Sequence, residues 1–366
     1  MIHKTKKLRI AMAGGWTGGH VFPIKSLLTF FNDHEEYRHE VDKLYWFGGK
    51  YSLEEKVCQE LQQEWSIHPI FISIRSWKYR RESYRKSKLK NIPDFFLFIV
   101  GIFQSIFYLL RYRIDVVFCK WGYVALPVVL AAALLRKKIV VHESDTHSGL
   151  VNKIASRFAR KVFTGFEWAL PHSQTIGQIL SDDIVTQAIP APNSKTLILV
   201  VWGSQGSKRL YQNILHILEF TPELQSGYEF FVVLGLANKD MLTLFDKFDC
   251  VHAYDFVSQK EMGELCNMCD IAITRGGTTA LAEQKLYDIK QIIVPIPRTH
   301  DQYDNAKRYV RVHNDILINQ RDDDFESQLA KAIKYYKGFK KTLQSKDRKA
   351  IITEAKVAVW QSLLDK

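Results

Sequence analysis

Apolar residues along this chain fall into short, almost unbroken runs, and between the runs they recur every three or four positions. Residues 8–13 (LRIAMA) form the first run, which stops at Gly14 and Gly15; helical spacing follows over 21–31, and residues 41–48 (VDKLYWFG) form the next run. Further runs lie at 115–119 and 138–142. Unbroken runs suit strands buried on both faces, and the stretches between them suit crossover helices, so the pattern predicts an α/β domain with a doubly wound parallel sheet. A second series follows the proline-containing stretch Ala188-Ile189-Pro190-Ala191-Pro192-Asn193, with runs at 196–202 (TLILVVW), 229–235 (EFFVVLG), 270–274 and 291–295 (QIIVP).

A length of 366 residues fits two such domains. The expected division is residues 1–190 and 191–345, with a C-terminal segment 346–366 whose helical pattern over 349–364 can dock on either half, the first included. Two Rossmann-like halves place a ligand cleft at the carboxyl ends of their strands.

Composition narrows the partners. Lys plus Arg number 51 against 39 Asp plus Glu, and the resulting +12 calls for a polyanion, an anionic membrane or a phosphorylated ligand. Five scattered cysteines, an odd number, argue against a disulfide framework and for a reducing cytoplasm. The basic start (Lys4, Lys6, Lys7, Arg9) leads into an apolar stretch that breaks at Gly14, too soon for a signal-peptide core.

Three strand ends carry glycine turns that open helices: Gly14-Gly15-Trp16-Thr17-Gly18-Gly19-His20, Trp202-Gly203-Ser204-Gln205-Gly206-Ser207, and Arg275-Gly276-Gly277-Thr278-Thr279. Backbone amides in such turns approach anionic oxygens, and the helix N-terminus adds partial positive charge. The spacing is wrong for a dinucleotide fingerprint, and no P-loop lysine is present, so NAD and an ATPase are disfavoured. A phosphate on Ser204, Thr278 and Thr279, with Glu283 accepting ribose hydroxyls, would make a nucleotide diphosphate site; Glu283 alone reads equally as a solvated or capping carboxylate.

At these residues the chain resembles the MurG family of glycosyltransferases. The run from Gly15 to Pro23 is similar to that family's Gly-Gly-Thr-Gly-Gly-His-Val-Phe-Pro motif, and five further similarities follow in order: Gly122-Tyr123-Val124; Val141-His142-Glu143 with Gly149-Leu150-Val151-Asn152-Lys153; Gly203-Ser204-Gln205-Gly206; Arg275 to Glu283; and Asp301-Gln302 leading to Asn305-Ala306. The resemblance implies a GT-B fold, a UDP-GlcNAc donor held mainly by the second domain, an undecaprenyl-linked acceptor, and inverting transfer without an obligatory metal or other cofactor. It also implies the positions. Thr17, Gly18, Gly19 and Ser204, with Gln205 and Gly206, border the diphosphate and sugar; Val257 meets the uracil. Thr278, Thr279, Ala280, Leu281, Ala282 and Glu283 continue the nucleotide site, Gln302 binds the GlcNAc hydroxyls with Asn305 a further substrate-binding position of the same motif, and Tyr123, Asp145 and Asn152 lie in matching motifs of the first domain. The chain departs from the family at Trp16, Trp121 and Trp202, which stand at glycine positions, at Asp145 for asparagine, at Ala280 for threonine, and at 188–193, where the family's junction motif is absent. These departures leave donor preference open.

Inverting transfer needs a base for the attacking hydroxyl. His20 is the first candidate, since an ordinary imidazole is partly neutral near pH 7; the pair His142 and Glu143 ranks second. His142 and His147 stand five apart and would not share a helix face, which excludes a zinc-protease motif. Cys266 and Cys269 form a lone C-x-x-C, better read as buried thiols.

Charge and apolarity concentrate at residues 75–113. Between Arg75 and Lys90 stand eight basic residues and one acid, Glu82, interleaved with Trp77, Tyr79 and Tyr84, and the apolar run 95–110 follows before Arg111 and Arg113. Sixteen helical residues would extend about 24 Å, short of a bilayer core of about 30 Å. An interfacial helix beside a cationic loop fits attachment to an anionic membrane surface, here the cytoplasmic face. Other readings are a glycosyltransferase for another UDP-sugar or glycolipid, a UDP-GlcNAc epimerase, which would not need this segment, and a nucleic-acid surface, which the resemblance disfavours. Oligomeric state is not legible.

Overall fold

The computed structural model describes residues 6–65, 68–76, 85–167, 169–187, 194–203, 206–297, 299–342 and 347–365. By internal contacts the chain groups into two units, Met1–Ile179 with Ile352–Lys366, and Leu180–Ile351.

The first unit is built on strands β1 (Leu8–Gly14), β2 (Val41–Gly48), β3 (Pro69–Ser73), β4 (Val116–Trp121), β5 (Lys138–Glu143), β6 (Lys161–Thr164) and β7 (Gln174–Thr175). They pair in parallel in the order β3-β2-β1-β4-β5-β6-β7. Side chains alternate across the sheet, as the two-residue strand period requires. Ile10, Met12, Trp46 and Phe118 join one core, which takes in the helix Gly18–Asp33. Ala11, Ala13, Tyr45, Phe47 and Val117 join a second, under the helix Ala125–Leu134. The helix Arg348–Leu364 contributes Val359, Trp360 and Leu363 to the first of these cores; Trp360 Nε1 donates to Leu27 O at 2.9 Å and its ring stacks on Phe31.

The second unit repeats the plan with β8 (Thr196–Val201), β9 (Tyr228–Val233), β10 (Val251–Tyr254), β11 (Ile271–Thr274), β12 (Lys290–Ile293) and β13 (Ile316–Leu317), ordered β10-β9-β8-β11-β12-β13 and parallel throughout. Its core is its own, from Ile198, Val200, Phe230, Val232, Ile271 and Ile273 to Leu329 and Ile333. The strand order reverses between β1 and β4 in one unit and between β8 and β11 in the other, the switch points where such sheets bind ligands.

One expectation needs correction. The apolar run at 95–110 lies within a 27-residue helix, Arg85–Arg111, so Arg85, Lys86, Lys88 and Lys90 belong to that helix rather than to a loop; residues 77–84, with Trp77, Tyr79, Glu82 and Tyr84, lie outside the described residues. Ser105 and Leu109 are buried, whereas Phe95, Phe96, Val100, Phe103, Phe107 and Leu110 are exposed. Among the described residues no helix is long and apolar enough to cross a membrane.

Candidate functional site

In the first unit, strand register pairs Gly14 with Trp121, so the turns leaving β1 and β4 lie side by side. Thr17 precedes the helix Gly18–Asp33, and its carbonyl accepts from His20 N at 3.0 Å and Val21 N at 3.1 Å. No side chain caps that helix, and its first amides, at Gly18 and Gly19, are of the kind that receives an anion. His20 is half-buried at the mouth of this turn. Its Nδ1 lies 3.2 Å from Gly15 O and 2.9 Å from Thr17 Oγ1. A carbonyl only accepts, so Nδ1 carries the proton and Nε2 keeps the lone pair of the neutral ring. Burial, reinforced by the charge of Lys120, pushes the imidazole down to about 3. The imidazole therefore stays unprotonated across the neutral range.

Glu54 and Lys120, which carry no motif in the sequence, support this turn together with Trp121, one of the departures from the family. Glu54, almost fully buried, accepts from Trp16 N at 3.1 Å and from Gly49 N at 3.0 Å, tying the ends of β1 and β2 together. Lys120, buried at the end of β4, donates to Ser144 Oγ. Burial lowers its ammonium to about 8 against the opposing pull of Glu143 and Asp145. Trp121 places its ring against His20, with centroids 4.4 Å apart. Lys120 had a signal in sequence, a lone charge inside an apolar strand; Glu54 had none, because its partners are backbone amides distant in the chain.

The pair His142 and Glu143 lies in a buried network at the end of β5. His142 has no exposed surface, and its Nε2 donates to Gly177 O at 3.0 Å. Glu143 is 2% exposed and accepts from Asp145 N, Gly149 N and Asn152 Nδ2 at 3.0–3.1 Å. Through Asp145 N and Gly149 N, Glu143 ties down the loop after β5. Asn152, also fully buried, belongs to the same network, while Tyr123 and Asp145 are half-buried nearer the turns.

In the second unit, Thr274 pairs with Val201, which sets Trp202 and Arg275 at the two adjoining strand ends. The guanidinium of Arg275 lies over the Trp202 ring, 5.6 Å from its centroid, and Nη1 donates to Val294 O and Gln320 Oε1. Ser204 and Gln205 lie outside the described residues. Gly206 has φ 69°, and a Cβ there would stand 2.0 Å from Leu234 O, so only glycine fits this corner. The helix Thr278–Lys285 begins after Gly277 without a side-chain cap. Thr278 and Leu281 are buried, and Thr279, Ala280 and Ala282 are half-buried. Glu283 accepts from Gln259 Nε2 at 2.6 Å, which joins it to the helix directly after Val257 and Ser258. Burial raises the Glu283 carboxyl to about 7, with Gln259 opposing. Gln302 is half-buried and accepts from Ile296 N; Asn305 is fully buried and donates to Gly276 O at 3.3 Å.

Two doubly wound parallel domains, each with uncapped helices and glycine turns at its switch point, are the architecture of GT-B glycosyltransferases. The models of the glycosyltransferase family 28 N-terminal and C-terminal domains match residues 10–164 and 197–361. The chain belongs to glycosyltransferase family 28. It is 30% identical over 318 residues to a Staphylococcus saprophyticus protein, covering 82% of this chain and 83% of that one. It is 28% identical over 344 residues to one from Borrelia garinii, covering 90% and 88%. Both relatives are named UDP-N-acetylglucosamine--N-acetylmuramyl-(pentapeptide) pyrophosphoryl-undecaprenol N-acetylglucosamine transferase. Among solved structures, Acinetobacter baumannii MurG superposes with a TM-score of 0.69 at 20% identity over 98% of this chain and 99% of that one.

Proposed function

We propose that this chain transfers GlcNAc from UDP-GlcNAc to an undecaprenyl-diphosphate-linked N-acetylmuramoyl-pentapeptide, with inversion, in peptidoglycan synthesis. The acceptor hydroxyl oxygen bonds to the anomeric carbon, the bond from that carbon to the β-phosphate oxygen breaks, and UDP leaves with the electron pair. His20 Nε2 takes the hydroxyl proton. The observation that carries this reading is the His20 ring at the first switch point with Nδ1 3.2 Å from the Gly15 carbonyl, an arrangement that leaves Nε2 to accept a proton, in a chain whose relatives over most of its length bear that transferase name. The second unit supplies the nucleotide site: the first amides of Thr278–Lys285 for phosphate, Glu283 for the ribose, and the backbone at Val257 for the base. In this reading amides and helix termini meet the leaving charge, and no metal is required.

The acceptor is lipid-linked, and the helix Arg85–Arg111 gives the chain a means of reaching it. Its exposed Phe96, Val100, Phe103, Phe107 and Leu110 recur every three or four residues, one face of a helix. With the basic residues around it, this face supports peripheral attachment to the anionic cytoplasmic leaflet. An epimerase acting on a soluble nucleotide sugar has no use for such a face.

The test is incubation with UDP-GlcNAc and a short-chain lipid-linked muramoyl-pentapeptide, scored for disaccharide. His20→Ala is expected to lower turnover by about 100-fold or more while UDP affinity by calorimetry is retained; full turnover in the variant removes His20 as the base.

A further inference from the structure

The indole of Trp121 has no part in the transfer as set out above, yet the fold accommodates it at several unfavourable points. Its backbone sits at φ 86°, a region that side chains rarely adopt. Its ring occupies space that only a glycine leaves open: a Cβ on Gly149 would lie 2.2 Å from the indole Nε1 and 2.5 Å from Cε2 and Cζ2. Its Nε1 is buried without a hydrogen-bond partner among the described residues. What the ring meets in return is His20, at 4.4 Å between centroids and an interplanar angle of 55°.

We propose that Trp121 is a positioning residue for His20: its indole walls one face of the imidazole, holds Nδ1 against the Gly15 carbonyl, and so leaves Nε2 as the accepting atom. This rests on His20 serving as the base. The charged group acting on His20 is Lys120, which Glu143 and Asp145 oppose from the end of β5; Gly15 and Thr17 contribute neutral oxygens. Taking the indole away hydrates the imidazole and weakens the burial that holds it unprotonated, so its titration moves up toward the ordinary 6.5.

Three variants test this. Trp121→Gly relaxes the left-handed backbone and removes the ring, so it folds without added strain. Gly149→Ala, at φ −66°, keeps both rings but drives a methyl into the indole. Trp121→Phe restores an aromatic wall. The readouts are nitrogen-15 NMR of the His20 ring across pH, the pH profile of kcat, KM for UDP-GlcNAc, and UDP affinity by calorimetry. Trp121→Gly and Gly149→Ala are expected to raise the His20 titration midpoint by more than about one pH unit and, because the ring is no longer held in orientation, to lower kcat about tenfold or more even at pH 8, where the imidazole is neutral. KM and UDP affinity should stay within about twofold, and Trp121→Phe should recover most of kcat. An unmoved midpoint and an unchanged pH profile in Trp121→Gly overturn the proposal. Should the parent bind UDP yet transfer no GlcNAc, the functional reading fails by itself, and the NMR midpoint still decides on Trp121. Should Trp121→Gly not fold, Gly149→Ala against Trp121→Phe reads the same quantities.

Discussion

The proposed ribose contact of Glu283 is linked to stability through the burial of its carboxyl. Its carboxyl rises from an ordinary 4.5 to about 7 on folding because burial penalises the anion. Between those values the native state holds a proton that the unfolded chain has released, so this group's contribution to stability falls as pH rises from about 4.5 to about 7 and stays low above that. Glu143 shifts in the same direction for the same first cause, in the other unit. Glu283→Gln keeps the shape and discards the charge. It is expected to be at least as stable as the parent at pH 8, to flatten the second unit's pH slope between 4.5 and 7, and to bind UDP about tenfold more weakly, the loss of a charge-assisted hydrogen bond to ribose. Chemical denaturation at several pH values and calorimetry with UDP read the two effects separately. Lower stability at pH 8 with unchanged UDP affinity contradicts both the burial account and the ribose role.

Elements divide into those that bury and those that display, and the helix Arg85–Arg111 does both. Gly101 faces inward, where a Cβ would stand 2.0 Å from Arg75 O, while Phe103 and Phe107 are 68% and 60% exposed. Replacing Phe103 and Phe107 together by Ser is expected to change stability by no more than about 0.5 kcal/mol per site, as for ordinary surface positions. Retention on anionic vesicles and turnover of membrane-embedded acceptor should both fall several-fold, with turnover of a short-chain acceptor unchanged; flotation assays and paired kinetics check this, and equal loss on both acceptors argues against a membrane role. Elements of this kind also mark the limit of sequence legibility. The central strands β1, β2, β4, β5, β8, β9, β11 and β12 stand out as apolar runs because both sheet faces are covered. Of the four edge strands, β7, β10 and β13 are only half-buried or exposed and β3 is buried at just two of its five positions, so no run announces them. At the candidate site, the glycine turns at the strand ends and the place of His20 beside the first of them were legible because their positions are local. Glu54, the Trp121 contact and the burial of His142, Asn152, Leu281 and Asn305 depend on residues far away in the chain, and a linear reading does not reach them.

At the scale of the molecule, the described core residues fall into separate sets: Ile198 through Tyr336 in one unit, and residues up to Ile179 together with Val359, Trp360 and Leu363 in the other. The chain thus returns at its end to complete the unit in which it began. Trp360 is fully buried, stacks on Phe31 at 4.8 Å and donates to Leu27 O, and truncating such a side chain costs about 3–5 kcal/mol. Against a domain stability of about 5–15 kcal/mol, that is a large fraction of what holds the first unit together. It corresponds to a drop of roughly 10 °C in melting temperature for a unit of this size. UDP, if it binds the second unit, raises only that unit's transition by mass action, which labels it in a calorimetric scan. Trp360→Ala is therefore expected to lower the unlabelled transition by roughly 10 °C and leave the UDP-sensitive one within a degree or two. Turnover falls at temperatures where the first unit has melted, because His20 goes with it, while UDP binding persists. A scan in which the variant lowers both transitions equally would show that folding of the UDP site depends on the C-terminal helix, contrary to the separation of the cores.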